Sequence, residues 1–333
     1  MKRKIYLVIF LALAVLLFVG CSDNGGSNEG TAGESPGEML TLDLIAKISD
    51  EWKSSPHQYG VKATEGRGIS CGQCHDGVGF ADREVYVNTD VDFAPAHQTG
   101  IDCQACHSGF GKKLLDTGLA ELPFMDEPFK GGSGAVCVAC HNGNANPAEL
   151  FAQSKAGELK RLSYPHYGAN VDLLSGKGGM EIPGVEYIAS IAHGTTENSC
   201  VTCHMPTTAD GHKNHTFEVK PEDFDQTCGT CHDKAFTKMT TLGGVQNEIK
   251  SYLNKLEQAI LEATGAERID HAGGVFVYYD RDGNEVTGIS HEAYVATYNW
   301  QLVHVEGSYG IHNPLYAKSL IRESYKYLTG NEL

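Results

Sequence analysis

The sequence predicts a mainly α chain with extensive loops, wrapped around something other than aliphatic side chains. Three observations carry this expectation. Apolar residues recur at helical spacing in the C-terminal third; the 333 residues include 39 glycines and only 41 % hydrophobic side chains; and ten of the eleven cysteines fall into C-x-x-C pairs. A chain of this length ordinarily carries a thicker apolar core. Eleven cysteines are too many for a cytosolic enzyme without a metal or disulfide role.

At the N-terminus MKRK is cationic, and residues 5–19 form an uncharged apolar run. A membrane-spanning helix needs about 20 apolar residues, so residues 1–20 read as a signal peptide. The run ends in Phe18-Val19-Gly20-Cys21, which resembles the lipobox of bacterial lipoproteins with Phe18 in place of the usual leucine. That resemblance implies lipidation at Cys21, the one cysteine outside a pair, and Ser22 resembles the residue of lipoproteins sorted to the outer membrane. Residues 21–40 are rich in Gly, Ser, Asn and Glu and read as a flexible tether with a reach of about 20 to 25 Å. Residues 41–333 then form a single domain. The expected location is the outer membrane, at the cell surface or the periplasmic face, with the lipid anchor as the membrane contact. A net charge of −16 excludes a nucleic-acid partner.

The pairs are CGQCH at 71–75, CQACH at 103–107, CVACH at 137–141, CVTCH at 200–204 and CGTCH at 228–232. Each ends in histidine. C-x-x-C-H is the covalent attachment signature of c-type haem: two sulfurs bond the vinyl groups, and the adjacent histidine becomes the proximal iron ligand. A structural zinc site also uses C-x-x-C, but it needs no histidine next door. Histidine is 15 of 333 residues, so its presence after all five pairs is not chance. The sequence therefore predicts five haem c groups, attached through Cys71 and Cys74, Cys103 and Cys106, Cys137 and Cys140, Cys200 and Cys203, Cys228 and Cys231. The proximal ligands are His75, His107, His141, His204 and His232. Their spacing of 32, 34, 63 and 28 residues is uneven, which predicts an irregular cluster and no repeat array.

Ten further histidines are available for the sixth iron position, while the methionines offer little, Met205 being too close to its own proximal histidine. Ten candidates for five positions favour ligation by two histidines throughout, and hence low reduction potentials. Context selects His57 and His193, each ahead of a motif; His215, with His212 as competitor; His312 in YGIHNPLYA; and His166, with His97 as rival. His271, His291 and His304 read as surface or packing residues.

Val245, Ile249, Leu253, Leu256 and Ile260 follow a helical period that stops at Gly265, and residues 291–306 and 314–329 read as two further helices. Asn313 caps the last, Pro314 opens it, and Leu315, Leu320 and Ile321 are expected to face inward. Between them residues 274–289 read as a small β-hairpin turning at Asp282-Gly283.

CVTCHMPTTADGHKNHTFEVKPEDFDQTCGTCH resembles the fourth and fifth haem segment of the cytochrome c nitrite reductase and octahaem cytochrome superfamily, and NWQLVHVEGSYGIHNPLYAKSLI resembles its C-terminal ligand helix. The resemblance implies that His215 serves the second haem, His57 the third, His312 the fourth and His193 the fifth, leaving His166 for the first. It also shows a departure. In that family the catalytic haem is the first, attached through a motif ending in lysine, and here that position is His75. The expected function is therefore electron transfer in a surface-anchored respiratory chain, with multihaem cytochromes and an extracellular metal or mineral as partners. The alternatives are reduction of nitrite, hydroxylamine or a sulfur oxyanion at one open haem, and assembly into a cytochrome filament.

Overall fold

The computed structural model describes residues 40–59, 71–83, 99–190, 192–233 and 239–333. The signal peptide, Cys21, nearly all of the tether and His97 lie outside the described residues. Asp43–Leu333 form one compact unit.

The N-terminal part is built from short helices separated by loops. They are α1 (Leu42–Ser54), α2 (Gly72–His75), α3 (Gly77–Asp82), α4 (Cys103–His107) and α5 (Gly109–Thr117). After the strand pair β1 (Leu119–Ala120) and β2 (Phe129–Lys130) come α6 (Ala135–Val138), α7 (Pro147–Ala156), α8 (Asn170–Leu174) and α9 (Cys200–His204). Helices this short are not stable alone, and local caps fix them. Asp76 Oδ1 accepts from Gly79 N at 2.9 Å to start α3, and Asp102 Oδ1 from Gln104 N at 3.0 Å to start α4. Asn146 Oδ1 accepts from Ala148 N and Glu149 N, and Pro147 opens α7. Backbones also approach closely: a Cβ on Gly111 of α5 would overlap the Ala105 carbonyl oxygen of α4. Phe80, Phe110, Leu114, Leu122 and Phe129 supply the small core of this part.

The C-terminal part is the larger packed body. It contains α10 (Met239–Thr264), strands β3 (Arg268–Ala272), β4 (Val275–Tyr279) and β5 (Glu285–Val286), then α11 (His291–Val305) and α12 (Pro314–Thr329). α10 buries Ile249, Leu253, Leu256 and Ile260, each contributing about 1.5 to 3 kcal/mol. Every residue from Ala293 to Val303 of α11 is buried, so this stretch of the helix has no exposed face. Its Asn299 is satisfied at depth: Nδ2 donates to Met180 O and Ser324 Oγ at 2.9 Å, and Oδ1 accepts from Met180 N at 2.8 Å. The 178–182 loop is thereby fastened to α11 and α12.

Three details differ from the sequence expectation. α10 begins at Met239, six residues ahead of Val245. The hairpin is part of a three-stranded antiparallel sheet in the order β3-β4-β5, and Gly273 and Gly274 make the additional tight turn at φ 58° and 84°. On α12, Asn313 Oδ1 accepts from Tyr316 N and Leu320 and Ile321 are fully buried, but Leu315 is 45 % exposed, one residue out of register with the inward face. Among the described residues no helix is long and apolar enough to cross a membrane.

Candidate metal centres

A single helical turn places residues i, i+3 and i+4 on one face, which is the requirement of C-x-x-C-H. Three motifs form short helices α2, α4 and α9. In the other two the histidine N–H closes the same turn, His141 N on Cys137 O at 2.9 Å and His232 N on Cys228 O at 2.8 Å. All ten motif cysteines are free thiols. Among the described residues no three His, Cys, Asp or Glu side chains converge as a zinc site requires. Among the described residues the motif cysteines thus form no disulfide and meet no further cluster of zinc-ligating side chains.

Each motif histidine faces a second histidine from a distant part of the chain. Ring centres are 5.9 Å apart for His75 and His166, 6.4 Å for His107 and His215, and 6.1 Å for His57 and His141. They are 6.2 Å apart for His204 and His312, and 6.1 Å for His193 and His232. Two imidazoles bound to one metal from opposite sides, each nitrogen about 2.0 Å from it, have ring centres about 6 Å apart. The five ring-centre separations match that distance.

In six of the ten rings Nδ1 is engaged, which leaves Nε2 as the nitrogen available to a metal. Nδ1 of His141 donates to Asn170 Oδ1 at 2.8 Å, His166 to Tyr167 O at 2.9 Å, His204 to Phe217 O at 2.9 Å and His215 to Lys213 O at 2.6 Å. His193 donates to Ile311 O at 3.0 Å and His312 O at 3.2 Å, and His312 donates to Glu306 Oε2 at 2.8 Å. Such partners fix the tautomer and raise ligand basicity. Burial pushes His57 down to about 4 and lowers His141, His204 and His215, keeping these rings neutral, as a metal ligand must be.

The remaining described histidines are occupied elsewhere. His212 uses both ring nitrogens, on Thr208 Oγ1 at 2.9 Å and Glu51 Oε1 at 3.0 Å. His271 contacts Tyr164, Tyr167 and Phe276, His291 bonds Ser154 Oγ, and His304 stacks on Trp300 at 5.4 Å.

Side-chain contacts order the sites in space. Cys140 Sγ of the third motif lies 3.9 Å from Cys74 O of the first. Cys106, Cys137, Cys140 and Cys200, from the second, third and fourth motifs, pack on one apolar cluster. His193, opposite the fifth motif histidine, donates to the His312 carbonyl. The third site is therefore a hub for the first, second and fourth, with the fifth beside the fourth. Phe217 stands at this hub in a left-handed conformation (φ 59°), its ring 4.7 Å from His57 and 5.9 Å from His215, its carbonyl on His204. Phe217, Asn170 and Glu306 are the site residues that motif counting misses. The only sequence signal for them is proximity to a ligand, as in HTF after His215 and VEGSYGIH before His312.

The family model described as Cytochrome c552 matches residues 179–332, the stretch that carries the last two motifs, His193, His215 and His312. Cytochrome c-552 of Haemophilus influenzae is 34 % identical over 152 residues, covering 38 % of this chain and 27 % of that protein. The same-named protein of another strain is 32 % identical over 76 residues, covering 21 % and 14 %. The chain thus spans about a quarter or less of the curated relatives it matches. The solved structure of the outer cell wall cytochrome OcwA superposes with a TM-score of 0.53 at 21 % identity, over 85 % of this chain and 50 % of that one. An undecahaem cytochrome from the S-layer of Carboxydothermus ferrireducens gives 0.48 at 18 % identity, over 83 % and 41 %. The fold is that of a multihaem cytochrome. Haem c is the group that the free C-x-x-C-H turns, the facing histidines and this fold accommodate together.

Proposed function

We propose that this chain is a pentahaem c-type electron carrier in which every iron is held between two histidines. The observation that carries it is the second histidine about 6 Å from each of the five motif histidines. Haem c supplies one-electron iron chemistry when bound at such a site. The two histidines of each pair would hold the iron between them, which would leave a substrate no iron position to enter. His166 matters most here, because it faces His75 at the motif where the resembling family has its catalytic lysine. The Nδ1 anchors would hold six of the ten rings in one orientation through oxidation and reduction, which keeps rearrangement small. Contact between neighbouring motifs gives electrons a continuous route.

The lipobox-like Cys21 and the acidic tether support attachment at the outer membrane, with other multihaem cytochromes as partners and a metal or mineral outside the cell as terminal acceptor. The name of the OcwA structure places that protein in an outer cell wall, and a similar station fits this chain. EPR and visible spectra of the haem-loaded protein test the reading: five low-spin signals and five haems by mass are expected. A high-spin signal with turnover of nitrite, hydroxylamine or a sulfur oxyanion overturns it in favour of a reductase. Concentration-dependent polymers lost in His57→Ala would instead indicate a filament subunit.

A further inference from the structure

Six of the ten facing histidines have an Nδ1 anchor described above, and in five of these the acceptor is a backbone carbonyl or the Asn170 amide oxygen. His312 differs: its acceptor is the carboxylate of Glu306, whose side chain is completely buried. Both oxygens of Glu306 are acceptors, Oε1 taking Ser308 Oγ at 2.7 Å and Gly310 N at 3.3 Å while Oε2 takes His312. The backbone joins the same network, since Glu306 O accepts from Asn170 Nδ2 at 2.6 Å and Asn170 Oδ1 accepts from His141 Nδ1. Glu306 thus touches two sites separately: its carboxylate holds the distal ligand of the fourth, and its backbone carbonyl holds Asn170, which holds the proximal ligand of the third.

We propose that Glu306 is a positioning residue that lowers the reduction potential of the fourth site. The inference rests on the bis-histidine reading given above. A buried carboxylate draws the Nδ1 proton of His312 toward itself, and the ring gains negative character and electron-donating power. That favours the ferric state. On reduction one electron enters the site from a neighbouring redox centre, the proton stays shared between Nδ1 and Oε2, and no bond is made or broken. A carbonyl acceptor, as at His166, His204 or His215, has no full charge and acts less strongly.

The test is a spectroelectrochemical titration of the haem-loaded protein, followed by low-spin EPR, in wild type, Glu306→Gln and Ser308→Ala. Glu306→Gln keeps the shape and removes the charge. It is expected to shift one of the five reduction steps upward by about tenfold in the ferric-to-ferrous ratio, which for one electron is about 59 mV. Ser308→Ala removes a donor from Oε1, leaves more charge on Oε2, and is expected to move the same step downward. Five low-spin signals with unchanged titration curves in both variants overturn the proposal. Should Glu306→Gln fail to load haem, the sign of the Ser308→Ala shift decides. A wild-type protein with fewer than five low-spin signals overturns the bis-histidine reading itself, a result visible before any variant is compared.

Discussion

His212 and His215 lie three residues apart in GHKNHTF, and their ring nitrogens separate them. His212 has both engaged, while His215 has Nδ1 on Lys213 O and its ring against His107. Glu51 of α1 serves both, holding His212 Nε2 with one oxygen and the His215 backbone N–H with the other at 3.0 Å. His215→Ala is expected to turn one of five low-spin haems high-spin by EPR, whereas His212→Gln leaves five low-spin signals. Asp172 gives a different residue-scale prediction. It is fully buried, Oδ2 accepts from Gly143 N at 2.8 Å, and Oδ1 has no partner among the described residues. Burial pushes its carboxyl up to about 8, against the pull of the Gly143 N–H. Between about pH 4 and pH 8 the folded protein keeps a proton that the unfolded chain, with an ordinary carboxyl near 3.9, releases. Stability contributed by this group is therefore present at low pH and lost as pH rises toward 8. Asp172→Asn keeps an acceptor for Gly143 and is expected to flatten the fall in thermal midpoint between pH 5 and pH 8, by on the order of a few kcal/mol at most.

Among the elements, the contact of α5 with α4 tests whether packing or motif alone makes a haem site. A methyl group on Gly111 meets the Ala105 carbonyl and the Cα of Cys106, inside the second motif. Gly111→Ala is expected to yield protein carrying four haems by mass, with the other sites intact. The start of α12 makes a milder case. Asn313 Oδ1 accepts from Tyr316 N at 3.2 Å and from Ser190 N at 3.0 Å. Asn313→Ala loses a cap worth about 1 kcal/mol, which in a domain of this size lowers the thermal midpoint by about 2 to 4 °C. The helix boundaries themselves were legible where local chemistry sets them, as at Asn313 and Gly265. Leu315 was not: the Asn-Pro start fixes where the helix begins, and only the contacts of Tyr316, Leu320 and Ile321 fix which way it is turned.

For the whole molecule, a small apolar cluster in the N-terminal part packs directly on cysteines of the second, third and fourth motifs, and a larger cluster fills the C-terminal helices. Removal of iron by loss of haem should therefore unfold the N-terminal part before the α10–α11–α12 body, since short helices around sites 71–75 to 137–141 have little else to pack on. Circular dichroism of haem-free and haem-loaded protein is expected to show a larger loss of helix than fraying alone gives, with the signal of the C-terminal helices retained.

The sequence by itself determined the five attachment turns, because two cysteines and a histidine at i, i+3 and i+4 meet within one turn and need no other part of the chain. It also determined which helices form in the C-terminal third. The pairing of ligands belongs to the tertiary structure. Facing histidines are between 39 residues apart, for His193 and His232, and 108 apart, for His204 and His312, and neither spacing nor composition says which loop reaches which gap. The partners that orient them are equally remote, with His193 held by Ile311 and Glu306 joined to Asn170. Local geometry decides what can bind a metal; only the packed chain decides what stands opposite it.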